Sequence, residues 1–178
     1  WLFVATAMLL AGAGVVVIIT IPETLDRAGE HHTESLLGPV MRDKRLLLFM
    51  SVGLVMFLAR GQLISTLSVH LSSTVGLTKA QIGLIYALNG GMVAALQVLT
   101  TKFTNRVNPL SALAFAGGLY GLGYFLVGLA WNMADMVTAM TIITVAEMVE
   151  TPTAATYVTE LAPPGLVGSY LGAFHFVF

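Results

Sequence analysis

The sequence predicts an all-α membrane protein, a polytopic bundle of helices that cross a lipid bilayer. Of its 178 residues, 57% are hydrophobic and only 10% are charged, and the mean hydropathy is +0.88. Runs of about 20 apolar residues recur along the chain, the length that a helix needs to cross a hydrocarbon core of about 30 Å. The net charge of -1 provides no basic surface for nucleic acid. The chain contains no cysteine, which excludes disulfides and thiolate metal sites.

The apolar runs divide the chain into a first span, a polar loop and a second bundle. Residues 1–21 form the first span, which we interpret as the end of a first-half bundle, and residues 22–45 form the loop between the halves. Since the chain starts inside one span and stops inside another, we interpret it as a fragment that lacks an N-terminal half. The C-terminal bundle, residues 46–178, contains predicted spans at about 46–69, 79–103, 110–130, 133–161 and 166–178.

Two local signals indicate helix ends within the second bundle. Thr78 and Gln81 have the Thr-x-x-Gln spacing of a capping box, which predicts a helix that starts at Lys79. The prolines of "APPG", which begins at Ala162, cannot continue the helical hydrogen bonds, so we expect the fifth span to end at Leu161.

The distribution of basic residues predicts the orientation, since short cytoplasmic loops collect Lys and Arg. The loop at 22–45 holds several basic residues, and Lys102 with Arg106 falls on the same side, whereas Lys79 alone falls on the other. We therefore expect the loop at 22–45 to be cytoplasmic. The protein is expected to be an integral, multi-pass protein of a cell membrane, either a plasma membrane or an inner membrane.

Two carboxylates in the fifth span are the strongest candidates for a functional site. An ionisable residue inside a span costs about 2.5 to 3.5 kcal/mol on insertion scales, so it normally faces protein or a watery cavity. Glu147 and Glu150 are three residues apart and can share one helix face. Carboxylates this close disfavour joint ionisation, so one is expected to hold a proton near neutral pH. The alternative is structural, with one acid bonded to a neighbouring helix and the other in a wet crevice.

A proline follows this pair in the same predicted helix. Pro152 has no amide hydrogen, so the carbonyl of Met148 loses its helical partner and the helix is expected to kink. The freed carbonyl can contribute to a site for a proton, cation or substrate, or the kink can serve packing alone. Threonines recur at a spacing of three along this helix, and most are expected to bond their own backbone carbonyls.

Arg60 is the third ionisable residue inside a predicted span and a further candidate. At about 1.5 Å per residue, its depth differs from that of Glu147 by roughly 10 Å, which leaves a direct salt bridge open. Arg60 can instead extend toward the outer surface, or pair with a helix outside this chain.

Four uncharged residues complete the set of candidates. Asn89 and Gln97 of the third span can contact a solute or pair with neighbouring helices, and pairing is the favoured interpretation. Gly117 and Gly121 have the Gly-x-x-x-Gly spacing that predicts a helix-packing face.

The sequence offers little support for an enzyme. No Ser-His-Asp set, phosphate-binding loop or metal motif is visible, so we predict no catalytic residue, no metal and no cofactor. His31 and His32 lie in the polar loop without a third ligand at a suitable spacing.

Several segments resemble the major facilitator superfamily, from the sixth helix into the eleventh of a twelve-helix transporter. "PETLDR" from Pro22 resembles the segment after the sixth helix, and "FLARGQLISTLSVHL" from Phe57 resembles the seventh helix of drug/proton-antiporter-like members. "GLTKAQIGL" from Gly76 resembles the start of the eighth helix. "AEMVETPTAATYVTELAPPGLVGSYLG" from Ala146 resembles the tenth helix and its exit, where the positions in register are Glu147, Pro152, Leu161, Ala162, Pro163, Gly168, Tyr170 and Gly172.

The chain departs from the family pattern at two loops. Between the eighth and ninth helices it reads "TKFTNRVNPL", which keeps Arg106 but has Asn105 in place of the usual acid. The basic residues that commonly follow the tenth helix are also missing. A charge-relay latch at the loop between the eighth and ninth helices is therefore not expected.

The resemblance implies a secondary active transporter that moves a small solute by alternating access, with proton coupling and with drug or multidrug efflux as a candidate activity. Its implied partners are the solute, protons, the lipid bilayer and the missing N-terminal half. The alternative is a polytopic scaffold or sensor subunit whose buried polar residues are structural. A membrane enzyme comes third, because it would need a reactive constellation on helices outside this chain.

Overall fold

The computed structural model describes residues 37–177, which lie in the compact unit that spans residues 35–178. All regular secondary structure in this part of the chain is helical, which confirms the predicted fold class. The predicted span at 1–21, His31 and His32 lie outside the described residues. The helices are α1 (Leu37–Arg42), α2 (Lys44–Ser65), α3 (Leu67–Ser73), α4 (Lys79–Thr104), α5 (Pro109–Leu129), α6 (Met133–Leu161) and α7 (Val167–Val177).

Side-chain caps fix the starts of α4 and α5. The hydroxyl of Thr78 accepts a hydrogen bond of 3.3 Å from the Gln81 amide, and the Gln81 side chain accepts one of 2.9 Å from the Thr78 amide. This arrangement confirms the predicted capping box. Asn108 caps α5 by accepting from the amide of Leu110 at 3.0 Å, and Pro109 occupies the first turn, where its missing amide hydrogen costs nothing.

Helix α6 is the centre of the described bundle. It has 29 residues, contacts α4, α5 and α7, and ends at Leu161 as predicted. Pro152 lies inside the helix, which continues past it. The expected backbone bonds of its threonines are present, because the hydroxyls of six residues each donate to the carbonyl four positions earlier: Thr138, Thr141, Thr144, Thr153, Thr156 and Thr159.

Two apolar clusters enclose the middle of α6. One contains Met136 and Met140 together with buried residues of α3 and α4, and the other contains Ala154 and Val158 together with buried residues of α1, α2 and α7. Positions 147 and 150 lie between them along the helix. The two carboxylates are therefore held between apolar layers at both ends.

The packing face of α5 differs from the prediction. Gly121 is exposed, and a Cβ atom there would meet nothing within 4 Å among the described residues. A Cβ atom at Gly117 would lie 3.7 Å from the side chain of Met56 on α2, an ordinary contact distance. Close contact with α6 occurs instead at Gly123, where a Cβ atom would clash with Ile143. The prediction failed because α5 carries small residues on several faces, so the Gly-x-x-x-Gly spacing alone did not identify the face that α6 uses.

Residues 37–45 are the described part of the predicted loop at 22–45. They contain α1 and the start of α2, and Asp43 lies between the two helices. One oxygen of Asp43 accepts from the amides of Arg45 and Leu46 at 2.9 and 3.3 Å, and the other accepts from the Tyr170 hydroxyl at 2.9 Å. Burial opposes the charged form, but these hydrogen bonds outweigh it and lower the pKa of Asp43 below its usual value.

Two described helices, α4 and α5, are long and apolar enough to cross a membrane. Large apolar side chains lie exposed on their outer surfaces, among them Val98 and Phe103 on α4 and Phe115 and Phe125 on α5. Such a surface is unfavourable in water and suits contact with lipid chains.

Candidate functional site

Arg60 of α2 joins the two carboxylates of α6 into one ionic cluster. Its Nη2 atom lies 2.7 Å from Oε1 of Glu147, and its Nη1 atom lies 3.1 Å from Oε2 of Glu150. The planar guanidinium presents its donors as a fork, a geometry that lysine lacks. The side chains of Arg60 and Glu147 are 29% and 27% exposed, whereas that of Glu150 is 8% exposed. Glu147 is therefore the more accessible of the two carboxylates.

Arg60 and Glu147 lie at the same level, so the calculated depth offset was wrong. Arg60 precedes Ser73, the end of α3, by thirteen residues, and Glu147 follows Met133, the start of α6, by fourteen. Both intervals correspond to about 20 Å along a helix. The calculation confined each span to a layer of about 30 Å, whereas 29 helical residues extend for about 43 Å.

Asn89 of α4 contacts the same carboxylate from the opposite side. Its Nδ2 atom donates to Oε2 of Glu147 at 3.0 Å and to the hydroxyl oxygen of Thr144 at 3.0 Å. The Thr144 hydroxyl in turn donates to the carbonyl of Met140 at 2.7 Å. The two oxygens of Glu147 are thus bound by different helices, one by α2 and the other by α4.

Gln97 of α4 binds the carbonyl that Pro152 leaves without a helical partner. Its Nε2 atom donates to the carbonyl oxygen of Met148 at 3.0 Å and to the hydroxyl of Thr101 at 3.2 Å. The freed carbonyl is therefore satisfied by protein, at the residue that directly follows Glu147. Asn89 and Gln97 thus both donate hydrogen bonds to α6.

Two tyrosines of α5 lie beside the cluster, and sequence reasoning missed them. Tyr120 and Tyr124 stack with ring centroids 6.2 Å apart, and both lie within electrostatic range of Arg60 and Glu147. Neither hydroxyl has a hydrogen-bond partner among the described residues. Their spacing of four, which puts both on one face of α5, is the signal that could have identified them.

A cavity of about 510 Å³ opens beside Glu150, between α2, α5 and α6. Its walls are largely apolar and include Phe49, Met56 and Tyr157. Arg45, in the first turn of α2, also lines the cavity. Glu150 is the acidic residue of this cavity. A solute bound there would therefore have an apolar body and would meet a carboxylate at one point.

The charges of the cluster define what it can bind. Two carboxylates and one guanidinium leave a net charge of -1 when both acids are ionised, so the arrangement favours one added proton or one cationic group. Within residues 37–177, no group of three His, Cys, Asp or Glu residues is arranged to hold a metal ion.

Comparisons with known proteins bear on the whole chain. A family model described as Major Facilitator Superfamily matches residues 1–178. Comparisons with curated proteins and with solved structures gave no match. The family match and the two long apolar helices together indicate a membrane protein.

Proposed function

Because the chain belongs to the major facilitator superfamily, we propose that this membrane transporter moves a small solute by alternating access and couples that movement to protons. The observation that carries the proposal is the contact of Arg60 with both Glu147 and Glu150 in the middle of α6. Ionisable groups at such a position are costly in a bilayer and typically mark a route for ions or substrate. The resemblance of the segment from Phe57 to Leu71, which contains Arg60, to drug/proton-antiporter-like members supports proton coupling.

Protonation changes which contacts the cluster makes. When Glu147 takes up a proton, its attraction to Arg60 weakens and the guanidinium remains paired with Glu150 alone. A neutral cluster no longer requires the same hydrated or charged surroundings, so the inward-facing and outward-facing states change in relative stability. The proton is thereby coupled to the conformational step, since it binds the two states with different affinity.

Asn89 and Gln97 have separate roles in this proposal. Asn89 orients Glu147 through Oε2, leaving Oε1 to exchange Arg60 for a proton or a cationic group. Gln97 supports the backbone of α6 at Met148, where Pro152 interrupts its internal hydrogen bonds. The two residues therefore connect α4 to the site at two neighbouring turns.

The cavity beside Glu150 supports an amphipathic solute. Its apolar and aromatic wall suits the hydrophobic part of such a solute. The ionic cluster, which reaches the cavity at Glu150 and has a net negative charge, suits a positively charged group of the solute. Many drugs that transporters export are organic cations with an apolar part and a positive group. Drug or multidrug efflux is therefore the activity that we propose to test first.

The proposed topology follows from the basic residues. Residues 22–45 lie on the cytoplasmic side of a cell membrane, and the chain crosses the membrane several times, which puts the end of α3 and the start of α6 on the opposite side. The halves of the complete transporter then move relative to each other around the cluster.

The deciding experiment compares two identical substitutions in α6. The complete protein is reconstituted in proteoliposomes with an imposed pH gradient, and uptake of ethidium, a fluorescent organic cation, is followed together with internal pH. We expect Glu147→Gln to abolish gradient-driven ethidium uptake and the matching proton movement. Glu160→Gln changes an exposed carboxylate of the same helix and should leave both unchanged. Equal activity of Glu147→Gln and the unmodified protein would refute proton coupling through this cluster.

A structural role for the cluster is the second candidate, and the low exposure of Glu150 favours it. A scaffold or sensor subunit would use the same ion pairs to hold α2 against α6. In that case Glu147→Gln would lower the amount of folded protein in the membrane, whereas the transport proposal expects normal abundance with lost flux.

A further inference from the structure

Three buried side-chain atoms lack a hydrogen-bond partner within the described part of the chain, and they lie along a single path. They are the hydroxyls of Tyr120 and Tyr124 and the Nε2 atom of His70. An unsatisfied buried polar group costs about 1 to 3 kcal/mol, so such groups are normally bound by water or serve a function. Their common location indicates one cause for all three.

The path follows two facing helix surfaces. Arg60 and Leu63 of α2 and His70 of α3 are separated by three and seven residues, the spacing of side chains on one helix face. The face continues from α2 to α3 because Thr66, between the two helices, keeps a helical backbone conformation. The interval from Arg60 to His70 corresponds to about 15 Å.

On α5, Tyr120 and Tyr124 are one turn apart, and Gly128 follows one turn later. Leu63, His70, Tyr124 and Gly128 line one cavity of about 260 Å³. The surfaces therefore meet at the ionic cluster at one end and at this cavity at the other.

We propose that Tyr120, Tyr124 and His70 line a hydrated route along which protons move between the Arg60, Glu147 and Glu150 cluster and the end of the bundle where α3 ends. The cavity is large enough for several water molecules, and the unpartnered atoms supply the polar contacts that ordered water needs. This inference rests on the proposed proton coupling and assigns the side and the residues through which the proton travels.

The transfer needs only water and these side chains. A proton that leaves the Glu147 carboxyl group adds to a neighbouring water molecule, and each later transfer breaks one O–H bond as it forms the next. A tyrosine hydroxyl accepts one proton on its oxygen while it gives up its own. The lone pair of His70 Nε2 accepts the proton, and bulk water then removes it. Protons travel inward by the reverse sequence.

Other titratable groups near the route are already engaged. The Tyr86 hydroxyl of α4 donates to the Leu63 carbonyl at 2.6 Å and contacts the Ser68 hydroxyl at 3.0 Å. From α6, the carboxylates facing the route are Glu147 and Glu150, which belong to the cluster. Tyr124 is the titratable residue of α5 that shares the cavity with His70.

The test measures protonation of the cluster without any solute. The complete protein is reconstituted in one orientation, and the pH is changed rapidly on the side of the α3 end. The carboxyl band that disappears in Glu147→Gln is followed by time-resolved infrared spectroscopy. We expect Tyr124→Phe and His70→Gln each to slow its response at least about a hundredfold, the lower end of the range for loss of a positioned proton-transfer group. Tyr170→Phe is the matched control, since the Tyr170 hydroxyl donates to Asp43 at 2.9 Å, outside both the route and the solute cavity.

The outcomes separate the two proposals. A Glu147 band that never changes with pH in the unmodified protein would refute proton coupling itself. A band that responds at the same rate in every variant, or that slows equally in Tyr170→Phe, would refute the route alone. Slowing confined to the Tyr124 and His70 variants, with unchanged thermal stability, would support it.

Discussion

The side-chain amide of Gln97 lies 3.0 Å from the carbonyl oxygen of Met148, the carbonyl whose helical partner is removed by Pro152. A residue of α4 thereby replaces a backbone hydrogen bond of α6. The proline is compatible with a long continuous helix here because the carbonyl remains paired.

This replacement predicts a strong coupling between positions 97 and 152. Gln97→Leu should destabilise the protein by about 0.6 to 1.7 kcal/mol, the range for hydrogen bonds between membrane helices. In a Pro152→Ala background the restored amide can bind the Met148 carbonyl, so the same Gln97→Leu change should cost much less. Unfolding of all four proteins in a detergent titration provides the double-mutant cycle. Additive effects would show that Gln97 does not compensate for the proline.

Removal of Arg60 should be costly because it leaves two adjacent carboxylates without a counter-charge. We expect Arg60→Gln to lower the free energy of unfolding by about 3 kcal/mol at neutral pH. Addition of Glu150→Gln should restore most of this loss, since one carboxylate then remains. The penalty should also shrink as the pH falls, because protonation removes the repulsion. A penalty that is independent of pH and of Glu150 would indicate lost packing instead.

The contact between α5 and α6 at Gly123 should tolerate no added methyl group. Gly123→Ala introduces a Cβ atom against Ile143 and is expected to cost about 1 to 3 kcal/mol. Gly121→Ala is the matched control, because its methyl group meets open space among the described residues and alanine favours the helix by up to about 1 kcal/mol. Thermal unfolding in detergent should show opposite shifts. Equal shifts would contradict the assigned packing face.

The Asp43 and Tyr170 contact should make stability depend on pH in the acidic range. The folded-state pKa of Asp43 is lowered, so its contribution is fully present above the unfolded-state pKa and is lost as pH falls through the folded-state pKa. Tyr170→Phe removes one of the hydrogen bonds that lower the pKa, and we expect the Asp43 carboxyl to titrate at a higher pH, closer to its ordinary value. Carbon-13 NMR of labelled aspartate in the complete protein measures this shift. An unchanged titration would show that the Tyr170 hydroxyl does not stabilise the charge of Asp43.

Local chemistry accounts for the parts of the fold that the sequence predicted. The capping box at Thr78, the end of α6 at Leu161 and the backbone bonds of the threonines each depend on a few neighbouring residues, so their pattern is visible in the sequence. The nearness of Glu147 to Glu150 likewise follows from helix periodicity alone.

Relations between helices were harder to predict. The Arg60 contact depends on how far along their axes α2 and α6 are aligned, and a residue count that assumed a layer of about 30 Å placed Arg60 at the wrong depth relative to Glu147. The face of α5 that meets α6 depends on which of several small residues finds a complementary partner, which for Gly123 is Ile143. Tyr120 and Tyr124 become candidates for the site only because they lie near Arg60, which belongs to another helix.

The pairing of two carboxylates, Glu147 and Glu150, with the single guanidinium of Arg60 also sets the ratio in which the proposed cycle exchanges protons for solute. A cluster that alternately holds one proton and one singly charged guest would exchange them one for one, so the membrane voltage would neither drive nor oppose the exchange. A doubly charged guest handled by the same cluster would carry net current, and its distribution would follow the voltage as well as the pH difference.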